Sequence, residues 1–222
     1  MRDDAPILHR NDPEREPLGG HVKVTREDWL NMARDTLVRD GVGQVKILTL
    51  AERMGVSRSS FYWYFENRDD LLRALLEEWE IRNTASITSQ CALSVASISE
   101  AVFNFFRCFL DPTMFDSGMD FAVREWARRD EALRERVDRA DSVRLAAVTE
   151  MFLCHGFDAA EADARARILY FMQLGYHALD VREPIAERLA RVRPYLKGFT
   201  GQDPDPEALA AFLEDVNKLG LT

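Results

Sequence analysis

Apolar residues return every three or four positions along most of this chain, and nowhere do they alternate long enough to build a strand. No Asn-Gly pair occurs, and no internal repeat or low-complexity tract interrupts the pattern. The chain is therefore confined to packed helices, an all-α fold. Its 222 residues, 46% apolar and 30% charged, suffice for a small domain followed by a larger one. No apolar run approaches the ~18 residues of a membrane span. The opening "MRDDAPILHRNDPEREPLGG" is too polar for a secretory signal, so a cytoplasmic protein is expected.

Local signals divide the helices. Residues 1–22, with proline, glycine and mixed charge, are expected to form a flexible arm. Thr25 then caps "REDWLNMARDTLVRD", with Asp28 as a short capping-box acid and Gly41 as the stop. A short helix from Lys46 to Met54 and another from Arg58 to about Phe65 complete a three-helix head over residues 23–70. Asn67 caps a long helix from Arg68 toward Cys91. The bundle over residues 71–222 continues with helices from Val95 to Leu110, Phe121 to Arg129, Glu131 to Cys154, Asp158 to Asp180, Pro184 to Tyr195 and Glu207 to Leu219. "DPTMFDSGMD" and "GFTGQDPDP" read as loops.

The head carries the strongest chemistry. In "AERMGVSRSSFYWYFENRDDLL" two short helices meet at Gly55, which accepts a positive φ without a Cβ clash. Ala51 lets the pair approach closely, and Leu50, Val56 and Phe61 supply its core. Ser57 caps the second helix. Arg58, Ser59 and Ser60 therefore occupy its first turn, the end that meets base edges in helix-turn-helix proteins. Arg58 suits a phosphate or a guanine, and Tyr62 and Tyr64 carry hydroxyls suited to phosphate oxygens. Lys46, Thr49, Trp63 and Arg68 complete the candidate set. An ordinary helical hairpin with an aromatic core is the plainer alternative.

The order of residues goes further than the turn. "LAERMGVSRSSFYWYFENRDDLL" resembles the DNA-binding signature of TetR-family transcriptional regulators, with Ala51, Gly55, Val56, Ser57, Phe61, Tyr62, Phe65 and Leu71 at matching places. Tyr64 stands where that family usually has histidine, Arg68 where it has lysine, and Lys46 where threonine is common. Each replacement keeps a hydrogen-bond donor. The resemblance implies a homodimer on palindromic double-stranded operator DNA, with half-sites roughly 34–36 Å apart or a multiple of that. It further implies a repressor released when a small molecule in the bundle shifts the long helix after Arg68. No catalytic role, cofactor or metal is implied.

Within the bundle, aromatic and flexible side chains exceed what a simple core needs. Phe103, Phe106, Phe109, Trp126, Met151, Phe152, Tyr170 and Met172 are expected to wall a lipophilic ligand pocket, with Arg124, Gln173 and His177 as its polar groups. Plain core packing is the alternative for each. Ala162, Ala166, Leu169, Gly175, Ala178 and Leu179 form a small-residue stripe, read either as close packing within one chain or as the seam of an isologous dimer. Which later helix joins that seam stays open.

Other features limit the function classes. The net charge is −9, but residues 21–70 hold eight basic and eight acidic residues, so the acidic excess lies outside the head. "REWARRDEALRERVDRADSVR" alternates in sign and reads as a solvated helix face. Cys91, Cys108 and Cys154 form no CxxC pair and are expected to be inert core thiols. His9, His21, His155 and His177 show no zinc spacing. No nucleophile elbow, P-loop or dinucleotide fingerprint occurs. An α-helical enzyme with a buried acid, or a module whose head binds protein, are the remaining alternatives.

Overall fold

The computed structural model describes residues 24–218, and all regular structure within them is helical. The expected arm over residues 1–22, and with it His9 and His21, lies outside the described residues. Helix α1 spans Arg26–Asp40. Thr25 Oγ accepts the Asp28 amide at 3.2 Å and the Asp28 carboxylate accepts the Thr25 amide at 2.7 Å, so both arms of the capping box form. Helix α2, Ile47–Met54, ends on Gly55 in the left-handed region at φ 66°. The next segment, Arg58–Trp63, is a 3-10 helix and not the α-helix expected to Phe65. Nine residues separate the Ser57 cap from the Asn67 cap, and the six from Arg58 to Trp63 form a 3-10 piece of the short length typical of connectors.

The long helix is present but changes winding. Helix α3, Arg68–Trp79, passes through a π-helical segment, Glu80–Thr84, into α4, Ala85–Cys91. Helix α5 is Ile98–Leu110, capped by Ser97. Helix α6, Ser117–Ala127, starts inside the stretch expected to be a loop, because the Asp116 carboxylate accepts the Met119 amide at 2.9 Å. Helices α7, Glu131–Leu153, and α8, Ala159–Ala178, pack along each other. The helix expected from Pro184 to Tyr195 is two, α9 at Ile185–Ala190 and α10 at Val192–Thr200. Pro194 explains the break, since proline fits a first turn and disrupts a helix interior. Helix α10 also absorbs Gly198–Thr200, read from sequence as loop. Helix α11, Pro206–Lys218, packs on α5.

Two apolar clusters result. The first joins Trp29, Leu30 and Leu37 of α1 to Leu50, Phe61 and Leu71–Trp79, and it continues into Met119 and Val123 of α6 and Leu133 and Val137 of α7. The core of the head is thus completed by helices of the body. The second cluster holds α4, α5, the C-terminal half of α7, α8, α10 and α11.

A buried polar cluster lies where the long helix passes between them. Asp120 on α6 is 1% exposed and accepts hydrogen bonds from Trp79 Nε1 at 2.8 Å, Arg144 Nη1 at 2.9 Å and Arg124 Nε at 2.7 Å. Arg124 also forks onto Asp141, at 2.8 and 2.6 Å, and Tyr170 donates to Asp141 at 2.6 Å. Arg144 is wholly buried, its guanidinium over the Trp79 and Phe115 rings at 5.1 and 5.6 Å. Arg124, Asp141 and Arg144 all belong to the charged run read as a solvated face, so that reading fails at both ends of the run. The π segment is tied in by Asn83, whose amide donates to Asp116 O at 3.1 Å and accepts the Asp116 amide at 2.9 Å.

Burial pushes the Asp120 carboxyl up, but Arg144, Arg124 and the Trp79 hydrogen bond outweigh it and hold the group below the usual carboxylate range. Its stabilisation is therefore complete above about pH 4 and lost as pH falls through the lower folded-state value. Asp120→Asn should cost about 3–5 kcal/mol in urea unfolding at neutral pH, because Arg144 is left buried with only the more distant Asp141, at 3.9 Å, as counter-charge. The variant should also lose stability less steeply than the wild type on acidification below about pH 4.

Candidate nucleic-acid interface and effector cleft

The helix-turn-helix is anchored from beneath. Phe61, fully buried, meets Trp29 edge-on at 5.2 Å and lies 5.4 Å from Phe65. Ser57 Oγ accepts the Ser59 amide at 3.2 Å, and Ser60 Oγ donates to Ser57 O at 2.7 Å. With Phe61 turned inward, Arg58, Ser59, Tyr62 and Trp63 face outward. Trp63 is 83% exposed and Tyr62 61% exposed. Tyr62 meets Phe61 edge-on at 5.4 Å, whereas the Trp63 ring stacks on no other aromatic among the described residues. Lys46 is exposed at the N-cap of α2, whose first amides have no side-chain cap. That combination of free amides and a lysine suits a phosphate. Thr49 is half-buried behind it.

Two candidates are occupied elsewhere. Arg68 Nε and Nη2 donate to the carbonyls of Val45 at 2.6 Å and Val42 at 2.7 Å, fixing the 3-10 turn between α1 and α2. Tyr64 donates its hydroxyl to Val24 O at 2.8 Å. Both residues hold the head together, committing Arg68 Nε and Nη2 and the Tyr64 hydroxyl proton to carbonyls of the head. The sequence offered one signal against Arg68: Asp69 and Asp70 follow it directly and make a poor setting for an anion.

The expected pocket is partly assembled, as a cleft between α5, α8, α9, α10 and α11. Phe106 and Phe109 line it from α5, Met172, Gln173 and His177 from α8. Tyr176, Ile185, Arg188, Leu189, Val192, Tyr195 and Phe212 complete the walls and were missed from sequence. Ile185, Leu189 and Val192 recur at helical spacing, which could have flagged them. Including its mouth the cleft spans about 700 Å³. The other pocket candidates lie elsewhere. Phe103 is stacked on Phe212 at 4.4 Å beneath the wall, and Phe152 packs edge-on against Phe157 at 5.3 Å. Met151 is buried in the same cluster. Arg124 and Tyr170 are held by Asp120 and Asp141. Trp126 packs on the core of the head and borders a groove between α1 and α6.

At the polar end of the cleft, Gln173 Nε2 and His177 Nε2 are 3.0 Å apart, and Ser117 Oγ lies 3.4 Å from the same ring nitrogen. Burial, with Arg188 second, lowers the His177 pKa despite Asp120, keeping the ring neutral near pH 7. His177, Tyr176 and Arg188 also border the groove beside α1. There Gly118 approaches Val38 of α1 so closely that an added Cβ would stand 3.2 Å from Val38 Cγ1.

The small-residue stripe on α8 divides. Ala162, Ala166 and Leu169 are wholly buried within the protomer, so they cannot meet a partner chain, and that expectation is corrected. Gly175 is half-buried, while Ala178 and Leu179 are exposed. The exposed apolar residues of α8 are instead Ile168 and Phe171, 56% and 48% exposed, and Val143 and Leu153 of α7 are exposed as well. Cys91 and Cys108 are buried and burial raises both thiols, Cys108 to about 12. Cys154 is exposed, not a core thiol, and bonds to Glu150. Among the described residues no His, Cys, Asp or Glu group converges to hold a metal, and no helix is long and apolar enough to cross a membrane.

Residues 30–75 match the family model described as bacterial regulatory proteins, tetR family. The chain is 32% identical over 56 residues to the HTH-type transcriptional regulator TtgR of Pseudomonas putida, and equally to the probable HTH-type transcriptional regulator ArpR of the same species. Each match takes in 25% of this chain and only 27% of the relative's length. Its fold resembles a TetR-family transcriptional regulator from Marinobacter aquaeolei VT8, with TM-score 0.59 at 14% identity over 88% of this chain and 98% of that one. Mycobacterium smegmatis AmtR gives 0.58 at 17% identity, over 93% and 98%. Residues 30–75 thus carry the helix-turn-helix segment of the tetR family model, and the chain as a whole shares its all-helical fold with these solved regulators.

Proposed function

We propose that the protein is a homodimeric transcriptional regulator that binds operator DNA through its head and is released when a small molecule enters the cleft. The observation that carries the DNA-binding reading is the outward row of Arg58, Ser59, Tyr62 and Trp63, placed by Phe61 on Trp29, in which Arg58 and Trp63 make no side-chain hydrogen bond or ion pair among the described residues. The acidic body does not oppose this, because the acid excess lies outside the head. A single head offers few contacts, so two heads on one palindrome supply the affinity, and the open Ile168–Phe171 face supports the pairing.

Release requires that the effector prefer the arrangement that does not fit DNA. The route supported by contacts runs from His177 to Ser117, along the first turn of α6, and through Gly118 to Val38 on α1. A ligand displacing His177 moves the start of α6, and α1 follows because Gly118 leaves it no slack.

Arg58→Ala and Tyr62→Ala should each weaken binding to the operator by about 1–3 kcal/mol in gel shifts with far-ultraviolet circular dichroism unchanged. Lys46→Ala should reduce the slope of log K against log salt by about 0.9. Wild-type affinity in all three variants would reject the DNA-binding reading.

Phe171→Glu should give monomers in sedimentation at micromolar concentration while keeping the wild-type far-ultraviolet circular dichroism, because the side chain is already half open to water in one protomer. Leu169→Glu should instead fail to fold, since its site is wholly inside.

A further inference from the structure

We propose that the cleft takes a slender lipophilic carboxylate, an alkyl or aryl acid, with its tail among Phe106, Phe109 and Leu189 and its head group on Arg188. The inference rests on the effector-release reading above and names the chemical class of its ligand.

Charge decides between ligand classes. No aspartate or glutamate lines the cleft, so a lipophilic cation would be desolvated there without a counter-charge. Arg188 is half-buried, stacked 4.7 Å over the Tyr176 ring, and forms no ion pair among the described residues. Its sequence neighbours contrast with it. Arg191 is paired with Glu183 and Arg182 with Asp180. Glu183 is the acid beside Tyr176, and its engagement by Arg191 leaves it no claim on Arg188. A partly desolvated guanidinium with an open fork favours a planar oxyanion, which it meets through two parallel hydrogen bonds.

Hydrogen-bond accounting points the same way. Gln173 donates to His177 Nε2, so the neutral ring carries its proton on Nδ1, and that nitrogen has no partner among the described residues. Arg188 and His177 Nδ1–H together offer donors and no negative charge. Shape then limits the tail. The interior of the cleft is narrow, about 100 Å³. An alkyl chain or a single ring fits such a slot, and a fused polycycle does not.

The test uses the full-length protein and three ten-carbon probes, decanoate, decanol and decylammonium, with 4-phenylbutyrate as the aryl acid, all below aggregation. Isothermal titration should show that an acid binds, that decanol binds more weakly and that decylammonium does not bind. Arg188→Gln should weaken acid binding about tenfold to a hundredfold and leave decanol binding unchanged. Equal affinity for acid and ammonium, binding of neither acid, or an unchanged acid affinity in Arg188→Gln would each overturn the proposal. Operator binding by the ligand-free protein is measured in parallel. Its absence defeats the regulator reading, whereas intact operator binding with no acid bound defeats only the ligand class.

Discussion

Asp120 is the point on which the arrangement depends. One carboxylate on α6 holds the indole of α3, the guanidinium of Arg144 on α7 and that of Arg124 on its own helix. Arg124 then recruits Asp141, which recruits Tyr170 on α8. Burying two arginines and two aspartates carries a desolvation cost that hydrophobic replacements would avoid. What the charges add is direction. A hydrocarbon layer between head and body would tolerate sliding, whereas forked hydrogen bonds accept one register. Arg144 Nη2 still lacks a partner, so the cluster is not saturated, and the aromatic faces of Trp79 and Phe115 partly stand in.

The parts of the fold legible in the sequence are those fixed by neighbours in the chain. Helix α1 runs between the Thr25–Asp28 box and Gly41, and α2 stops at Gly55, as their local signals required. The break at Arg191 was also local, but Pro194 lies three residues beyond it and the apolar periodicity carries across, which hid it. The buried charges were not legible. Arg144 sits in a run of alternating sign, and its partner Asp120 is 24 residues earlier, so nothing short of the packing itself distinguishes it from the exposed Arg134 or Arg139.

The same division holds for the candidate sites. Arg58, Tyr62 and Trp63 emerged because a motif fixes which side of a short helix faces out. Arg68 and Tyr64 have the right chemistry for phosphate, yet the carbonyls of Val42, Val45 and Val24 lie nearer. In the cleft, α5 and α8 supplied the expected side chains, while α9 and α10 supplied walls that only tertiary packing brings opposite them. On α8, small residues were read as a seam because close approach was the visible signal. Close approach to α7 inside one protomer uses the same signal.

The π segment explains a spacing that an α-helix could not satisfy. Trp79, Asn83, Ile87 and Cys91 are the buried positions from 79 to 91, one every four residues. In α winding each four-residue step overshoots a turn by about 40°, so three steps would swing Cys91 about 120° away from the face of Trp79. One extra residue taken up at Glu80–Thr84 absorbs about 100° of that drift. The long helix therefore behaves as two phase-matched rods with a correction between them. Any tightening of that segment to ordinary winding would turn α4 against the head by more than a quarter revolution. Asn83, clamped to the start of α6, ties that phase to the helix that meets His177 through Ser117 and packs on α1.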